Sequence, residues 1–281
     1  MNTNLFEMMK GRGGLRALLP LVLASTVVAC GDSTSVGNPR SVSLNFQVPG
    51  ANAPQLAGGP SLAAGIAGHD TIGGVNGTLV LDEVRLIIAE VELDTDDDSC
   101  SDDAPTVDDC ADFEAGPRFI NLPMDGEPIE AFVGLIPPGT YKELEFEIED
   151  LEDDEEDPVL AAAIAALREE ILLEIPDWPR KASAMVVGTF ESVATGPDPV
   201  SFRVFLDAEV EIERDLIPNL VIGEDGIANP ELTVTVEPEM WFTRLDGTVI
   251  PLHLFDWDLT GQLLEFELEM EDGFTEIEIR N

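Results

Sequence analysis

Two thiols and a run of carboxylates offer the first chemistry in this chain. Cys100 and Cys110 stand ten residues apart in DTDDDSCSDDAPTVDDCADF, residues 94–113, which holds nine aspartates and no base. Thiols so placed pair as a disulfide in an oxidising compartment, and closing so small a loop contributes about 3 kcal/mol on the chain-entropy model. A metal site on both thiols lacks partners, because His69 and His253 are the only histidines and neither is near in sequence. Asp94, Asp96 and Asp98 fall at the first, third and fifth positions of an EF-hand count, but Ser99 and Pro105 replace the required glycine and glutamate. The expectation is a solvated acidic loop, with a looser calcium site on Asp94, Asp96 and Asp98 as the alternative. Paired carboxylates also hydrolyse glycosides when held about 5 or 6.5–9.5 Å apart in a cleft. With 57 acids in the chain such a pair arises by chance, and no GxSxG, HExxH, Walker or GxGxxG pattern occurs. No catalytic residue is assigned, and an enzyme is not expected; a glycoside hydrolase-like activity is the remote alternative. Trp178, in IPDWPRK beside Arg180 and Lys181, is the candidate ligand contact among three scattered tryptophans.

The third cysteine has a different setting. Lys10, Arg12 and Arg16 precede an uncharged run, residues 17–29 (ALLPLVLASTVVA), that ends on Cys30. A basic region followed by a short apolar one is an export signal, and thirteen residues fall short of the ~20 needed to cross a bilayer core. Val27-Val28-Ala29-Cys30 resembles the bacterial lipobox, in which cleavage precedes a cysteine that carries diacylglycerol. Ordinary cleavage after Ala29 is the competing reading. Cysteine parity favours lipid, since modifying Cys30 leaves Cys100 and Cys110 as one even pair. Several acyl chains on one residue give a firm anchor, each buried methylene adding about 0.8 kcal/mol. Gly31 stands where aspartate would argue for inner-membrane retention, so the outer membrane is favoured, on its periplasmic or surface face.

Without residues 1–29, eleven bases face 56 acids, a net charge near −45. Nucleic acid and anionic headgroups need a field of the opposite sign and are poor partners, so no nucleic acid is expected. The acids do not imply disorder, because 44% of the chain is hydrophobic and its pattern can bury those residues.

That pattern is mainly of period two. In TYKELEFEIE, Leu144, Phe146 and Ile148 face one way and Glu143, Glu145, Glu147 and Glu149 the other, as in a half-buried strand. SFRVFLDAEVEI and LLEFELEME repeat it, and further strands are expected over residues 41–48, 184–192, 232–236 and 275–279. TLVLDEVRLIIAEVEL is long enough for two strands with a bend, a helix being the competing reading. Residues 49–77, rich in glycine, alanine and proline, read as a flexible loop. One helix is expected over residues 158–174, with Asp157 as cap, Pro158 in the first turn and Leu160, Ile164, Leu167 and Ile171 at helical spacing. It is expected to cap an open end of the fold. Together these segments predict a mainly β antiparallel sandwich. Residues 1–29 form the signal, 30–40 a tether, and 41–281 a single domain carrying an acidic disulfide loop over 94–112.

The segments GTLVLDEVRLIIAEVEL, FINLPMDG, IPPGTYKELEFEIED, FRVFLDAEVEIE and LTVTVEPEMWF resemble those of uncharacterised bacterial lipoproteins with a β-sandwich domain of unknown function. The resemblance covers most of residues 41–242, and the alanine-rich helix and the tail after residue 245 depart from it. It implies an exported sandwich with no established activity. The expectation is therefore a lipid-anchored envelope protein with a structural or binding role, meeting the membrane through its anchor and having a polysaccharide or envelope protein as candidate partner. A calcium-dependent recognition module is the alternative, and no other cofactor is expected.

Overall fold

Alternating apolar residues build thirteen strands in the computed structural model, which describes residues 39–49, 68–95, 113–151, 157–196, 198–223, 226, 229–266 and 270–280. In chain order these are β1 (Arg40–Gln47), β2 (Asp70–Gly74), β3 (Gly77–Thr95), β4 (Phe113–Ala115), β5 (Arg118–Asn121), β6 (Ile129–Ile136), β7 (Gly139–Ile148), α1 (Pro158–Glu174), β8 (Ala184–Ser192), β9 (Val200–Asp207), β10 (Val210–Ile222), β11 (Glu231–Val236), α2 (Pro238–Phe242), α3 (Trp257–Thr260), β12 (Leu264–Glu265) and β13 (Phe274–Arg280).

Two sheets pack face to face, as expected of a sandwich. The smaller has the order β13-β11-β1-β6, and the larger follows the path β10-β7-β3-β8-β9-β12 with β2, β4 and β5 also on β3. Most pairs are antiparallel, but β1 runs parallel to β11 and β12 parallel to β9, so the sandwich is mixed. Phe46 of the small sheet meets Phe146 of the large one edge-on at 5.4 Å, and Phe274 lies 5.1 Å from Phe146 and 5.4 Å from Trp241. These rings form the centre of the core and are all buried.

The long strand β3 organises the large sheet. The expected bend into two strands is absent; one nineteen-residue strand runs through, with register shifts after Leu81 and Ile88. Its first half pairs with β8 and its second half with β7. Leu86 faces Ile120 and Ala184, while Val91 faces Ala115 and Phe146. β4 and β5 share one continuous register along one edge, broken at Gly116-Pro117, which leaves β8 and β7 to divide the other. A bulge bends its strand and increases the local twist, so the shift after Ile88 lets two strands succeed one another on a single edge.

Two further expectations need correction. The tail of the presumed flexible loop, Asp70–Gly74, is strand β2, hairpinned onto β3, because Ile72 enters the core. SFRVFLDAEVEI is not one strand: it breaks at Ala208-Glu209 into β9, on β8, and β10, on β7. Phe202, Val204, Leu206, Ala208, Val210 and Ile212 are nonetheless all buried, so the alternation survives the break.

Helix α1 spans the expected residues, and the Asp157 carboxylate accepts from the N–H groups of Val159 and Leu160 at its start. It does not close an end of the sandwich. Ile171, with Ile164 and Leu167 beside it, packs on Ile87 and Leu151 across the outer face of the large sheet. Odd-numbered residues of β3 point outward here, so Ile87 needs cover while Leu86 and Ile88 serve the core. A satellite cluster of Ile175, Ala182, Met185 and Phe205 continues this outer layer. Arg203 pins it: the guanidinium donates to Asp177 at 2.9 and 2.5 Å and to Asp258 at 2.9 Å. The two ends of the layer are thereby tied to β9.

Candidate functional site

Where α1 does not reach, the outer face of the large sheet is built from carboxylates. Register places three acids side by side in each of three rows: Glu90–Glu147–Glu211, Glu92–Glu145–Glu213 and Asp94–Glu143–Asp215, across β3, β7 and β10. Directly paired residues on neighbouring strands have Cβ atoms about 4.5–5.5 Å apart, and successive rows lie two residues, about 7 Å, along the strand. The alternate residues Val91, Leu93, Leu144, Phe146, Ile148 and Ile212 are buried beneath. Each acid is therefore held outward by the apolar residues beside it.

Like charges directly opposite one another destabilise a sheet, and the ionisation of the central strand responds. Partial burial, then a hydrogen bond that protonated Glu145 donates to the Glu211 carboxylate, then the charges of Glu211, Glu92 and Asp94 push Glu145 up to about 7. Burial and Glu211 also raise Glu147, and burial with Glu213 and Asp94 raises Glu143. Carboxylate oxygens of Glu145, Glu147 and Glu211 come within 4.8 Å of one another. At neutral pH such a cluster relieves its repulsion by keeping a proton or by sharing a cation.

The sequence-derived candidates fall elsewhere or only partly here. Asp94 lies near the end of β3 and belongs to the grid, whereas Asp96 and Asp98 lie outside the described residues. Cys30, Cys100 and Cys110 also lie outside them. Trp178 is the hub of the outer layer: its ring stands edge-on to Phe119 at 5.1 Å and to Phe205 at 5.2 Å, and its N–H donates to the Ala182 carbonyl at 3.0 Å. Trp241 donates to the Met270 carbonyl within the core, and Trp257 packs edge-on to Phe205 at 5.3 Å. Among the histidines, His69 Nδ1 lies 2.5 Å from Asp82. His253 stacks on Phe190 at 4.8 Å, where burial lowers its pKa. It borders an open 420 Å³ depression lined by Val75, Val193 and Leu254.

No known protein family, characterised protein or solved structure matches this chain. The grid must therefore be read from its own chemistry. The sequence marks Glu145 and Glu147 only as outward strand positions and does not mark Glu211 as their partner, although two stretches, KELEFEIE and DAEVEIE, put an acid at every outward position. Their meeting depends on β7 pairing with β10, about sixty residues away.

Proposed function

We propose that the protein is a lipid-anchored component of a bacterial envelope that acts by presenting a non-catalytic, strongly acidic β-sandwich. The nine-carboxylate face is the observation that carries this reading. It is a broad sheet surface, suited to keeping a tethered domain hydrated and to repelling anionic material, and nothing about it concentrates on one reacting bond. A glycosidase needs its carboxyl pair in a cleft, and the raised Glu145 stands on an open strand. In this proposal Cys30 carries the anchor, the segment up to residue 40 is the tether, Cys100 and Cys110 form a disulfide, and the destination is the outer membrane. The partner is a polysaccharide or an envelope protein, and the net charge disfavours nucleic acid. This is also what the resemblance to envelope lipoproteins implies.

Intact mass of the membrane-extracted protein, compared with Cys30→Ser, tests it. The expected mass is that of the chain from Cys30 with diacylglycerol and acyl groups and no free thiol, and the variant loses both processing and membrane partitioning. An unlipidated wild type, or a Cys30→Ser protein that still fractionates with membranes, removes the anchor and leaves a secreted acidic sandwich.

A second reading, a calcium-dependent recognition module, is favoured by the approach of Glu145, Glu147 and Glu211. These carboxylates would supply part of the six to eight oxygens calcium takes. Calcium at millimolar concentration then gives a saturable heat and raises the melting temperature, and Glu145→Gln weakens both. Calorimetry without heat and melting without a shift discard this reading.

A further inference from the structure

Four turns meet at the end of the large sheet where β3 begins, and each carries an exposed aliphatic side chain. The β2–β3 turn presents Val75, the segment after β8 presents Val193, and the 3-10 turn Leu252–Phe255 presents Leu254. They are 71%, 74% and 61% exposed and border one depression. The Val75 N–H donates to the Gly247 carbonyl at 3.0 Å, which joins the hairpin closed by Thr243 and Val249, and Leu245 stands fully exposed in that hairpin. Single exposed aliphatics are ordinary on a surface; a contiguous group of them marks a site of contact.

The tips also lack the charge that covers the rest of the molecule. Segments 73–77, 192–196 and 243–255 hold one acid, Asp246, and one base, Arg244, whereas 57 of the 281 residues of the chain are acids. Asp246 is occupied by the Thr248 N–H and hydroxyl. Of the flanking acids, Asp256 accepts from the Arg203 N–H at 3.0 Å, and Glu191 and Asp198 stand on either side of the second segment.

Polar groups within the tips are satisfied internally. The Val193 N–H donates to the Asn76 carbonyl at 3.1 Å and the Leu254 N–H to the Pro251 carbonyl at 3.0 Å. The Asn76 amide donates to the Val249 carbonyl and accepts from the Val249 N–H, both at 2.8 Å. Hydrocarbon demands backbone groups already paired in this way, whereas a protein partner does not. Area points in the same direction. At about 60–120 Å² of apolar surface per aliphatic side chain, four offer about 240–480 Å², well under the ~800 Å² that a stable interface takes from each partner. A bilayer sets no such threshold, because each inserted methylene multiplies partitioning about fourfold.

From these observations we infer that this end of the sandwich inserts shallowly into a lipid surface of zwitterionic headgroups, with Val75, Val193, Leu245 and Leu254 entering the acyl boundary. The net charge of −43 excludes a strongly anionic bilayer. The inference depends neither on lipidation of Cys30 nor on calcium.

Leu245→Trp in the full chain carrying Cys30→Ser, mixed with vesicles of brominated phosphatidylcholine, tests it. The emission of the new indole is expected to shift to the blue and to be quenched by the bromines. Val75→Asp in that background lowers the partition coefficient at least about tenfold, and anionic lipid added to the vesicles weakens binding, which salt partly restores. Both positions are exposed, so neither change disturbs the core. Ile217→Trp is the control: Ile217 is 84% exposed on β10 beside the start of β7, at the other end of β3, and its replacement stays unquenched. An unquenched Leu245→Trp, equal quenching of Ile217→Trp, or unchanged partitioning in Val75→Asp overturns the assignment. It also falls if the wild type self-associates without vesicles and Val75→Asp abolishes that association, since the tips would then join two copies.

Discussion

At pH 8 a Glu145→Gln variant melts about 3 °C above the wild type, and the gap closes as the pH falls towards 4.5. The cause is the centre of the carboxylate grid. Glu145 has an ordinary pKa of 4.5 and one of about 7 in the folded protein, so the folded state binds the proton more tightly than the unfolded chain. Stability therefore increases as the pH falls from about 7 to about 4.5, and this contribution is constant outside that window. The full shift would overstate the energy, because the carboxyl is only partly buried and is screened by solvent; about 1 kcal/mol is a reasonable magnitude, which corresponds to about 2–4 °C for a domain of this size. Glu143 and Glu147 shift in the same direction and reinforce the trend.

Asp177 works in the opposite sense. Its hydrogen bond to Arg203 lowers its pKa below the ordinary 3.8, and the stability it contributes is lost only as the pH drops below that value. Burial of His253, which lowers its pKa, opposes the Glu145 trend below about pH 6.5, so maximum stability is expected on the acid side of neutrality, above the Asp177 window. Added salt raises the melting temperature at pH 8 by shortening the range of the repulsion. Thermal melts across pH and salt check this; a wild type that melts lower at pH 5 than at pH 8 would contradict the proton-sharing at Glu145.

Phe146→Ala is expected to produce the largest loss of stability, about 3–5 kcal/mol or about 10 °C in melting temperature. Phe146 points inward from β7, one residue from Glu145 and Glu147, and touches Phe46 and Phe274 across the sandwich. Removing its ring leaves a cavity between two sheets whose backbones are fixed by their ladders, and collapse is therefore incomplete. Phe146→Leu, which retains most of the volume, costs considerably less. Denaturant unfolding of both variants measures the difference. Equal and small losses, under about 1 kcal/mol, would mean that the sheets are not joined through these rings.

These two residues stand next to each other in the sequence and do opposite things, and that much was legible in TYKELEFEIE before any fold was known. Alternation within one strand is local: each residue's direction follows from the pleat. For the same reason β8 coincides with its expected span, and α1 starts where Asp157-Pro158 place it and covers the expected residues 158–174. Other features were illegible because they depend on pairing. The Glu90–Glu147–Glu211 row joins residues far apart in the chain, and its register follows a shift after Ile88 that carries no sequence mark.

The chain by itself determined the class of fold, the acidic character and the faces of its strands, because these follow from periodicity and composition. Only the tertiary structure decided that β3 is one strand serving two partners along an edge. It also decided that α1 covers a sheet face and that nine carboxylates from three strands share one surface. Each of those outcomes rests on which strands hydrogen-bond to which, a choice made by burying both sheets' inner faces together and not by any single segment.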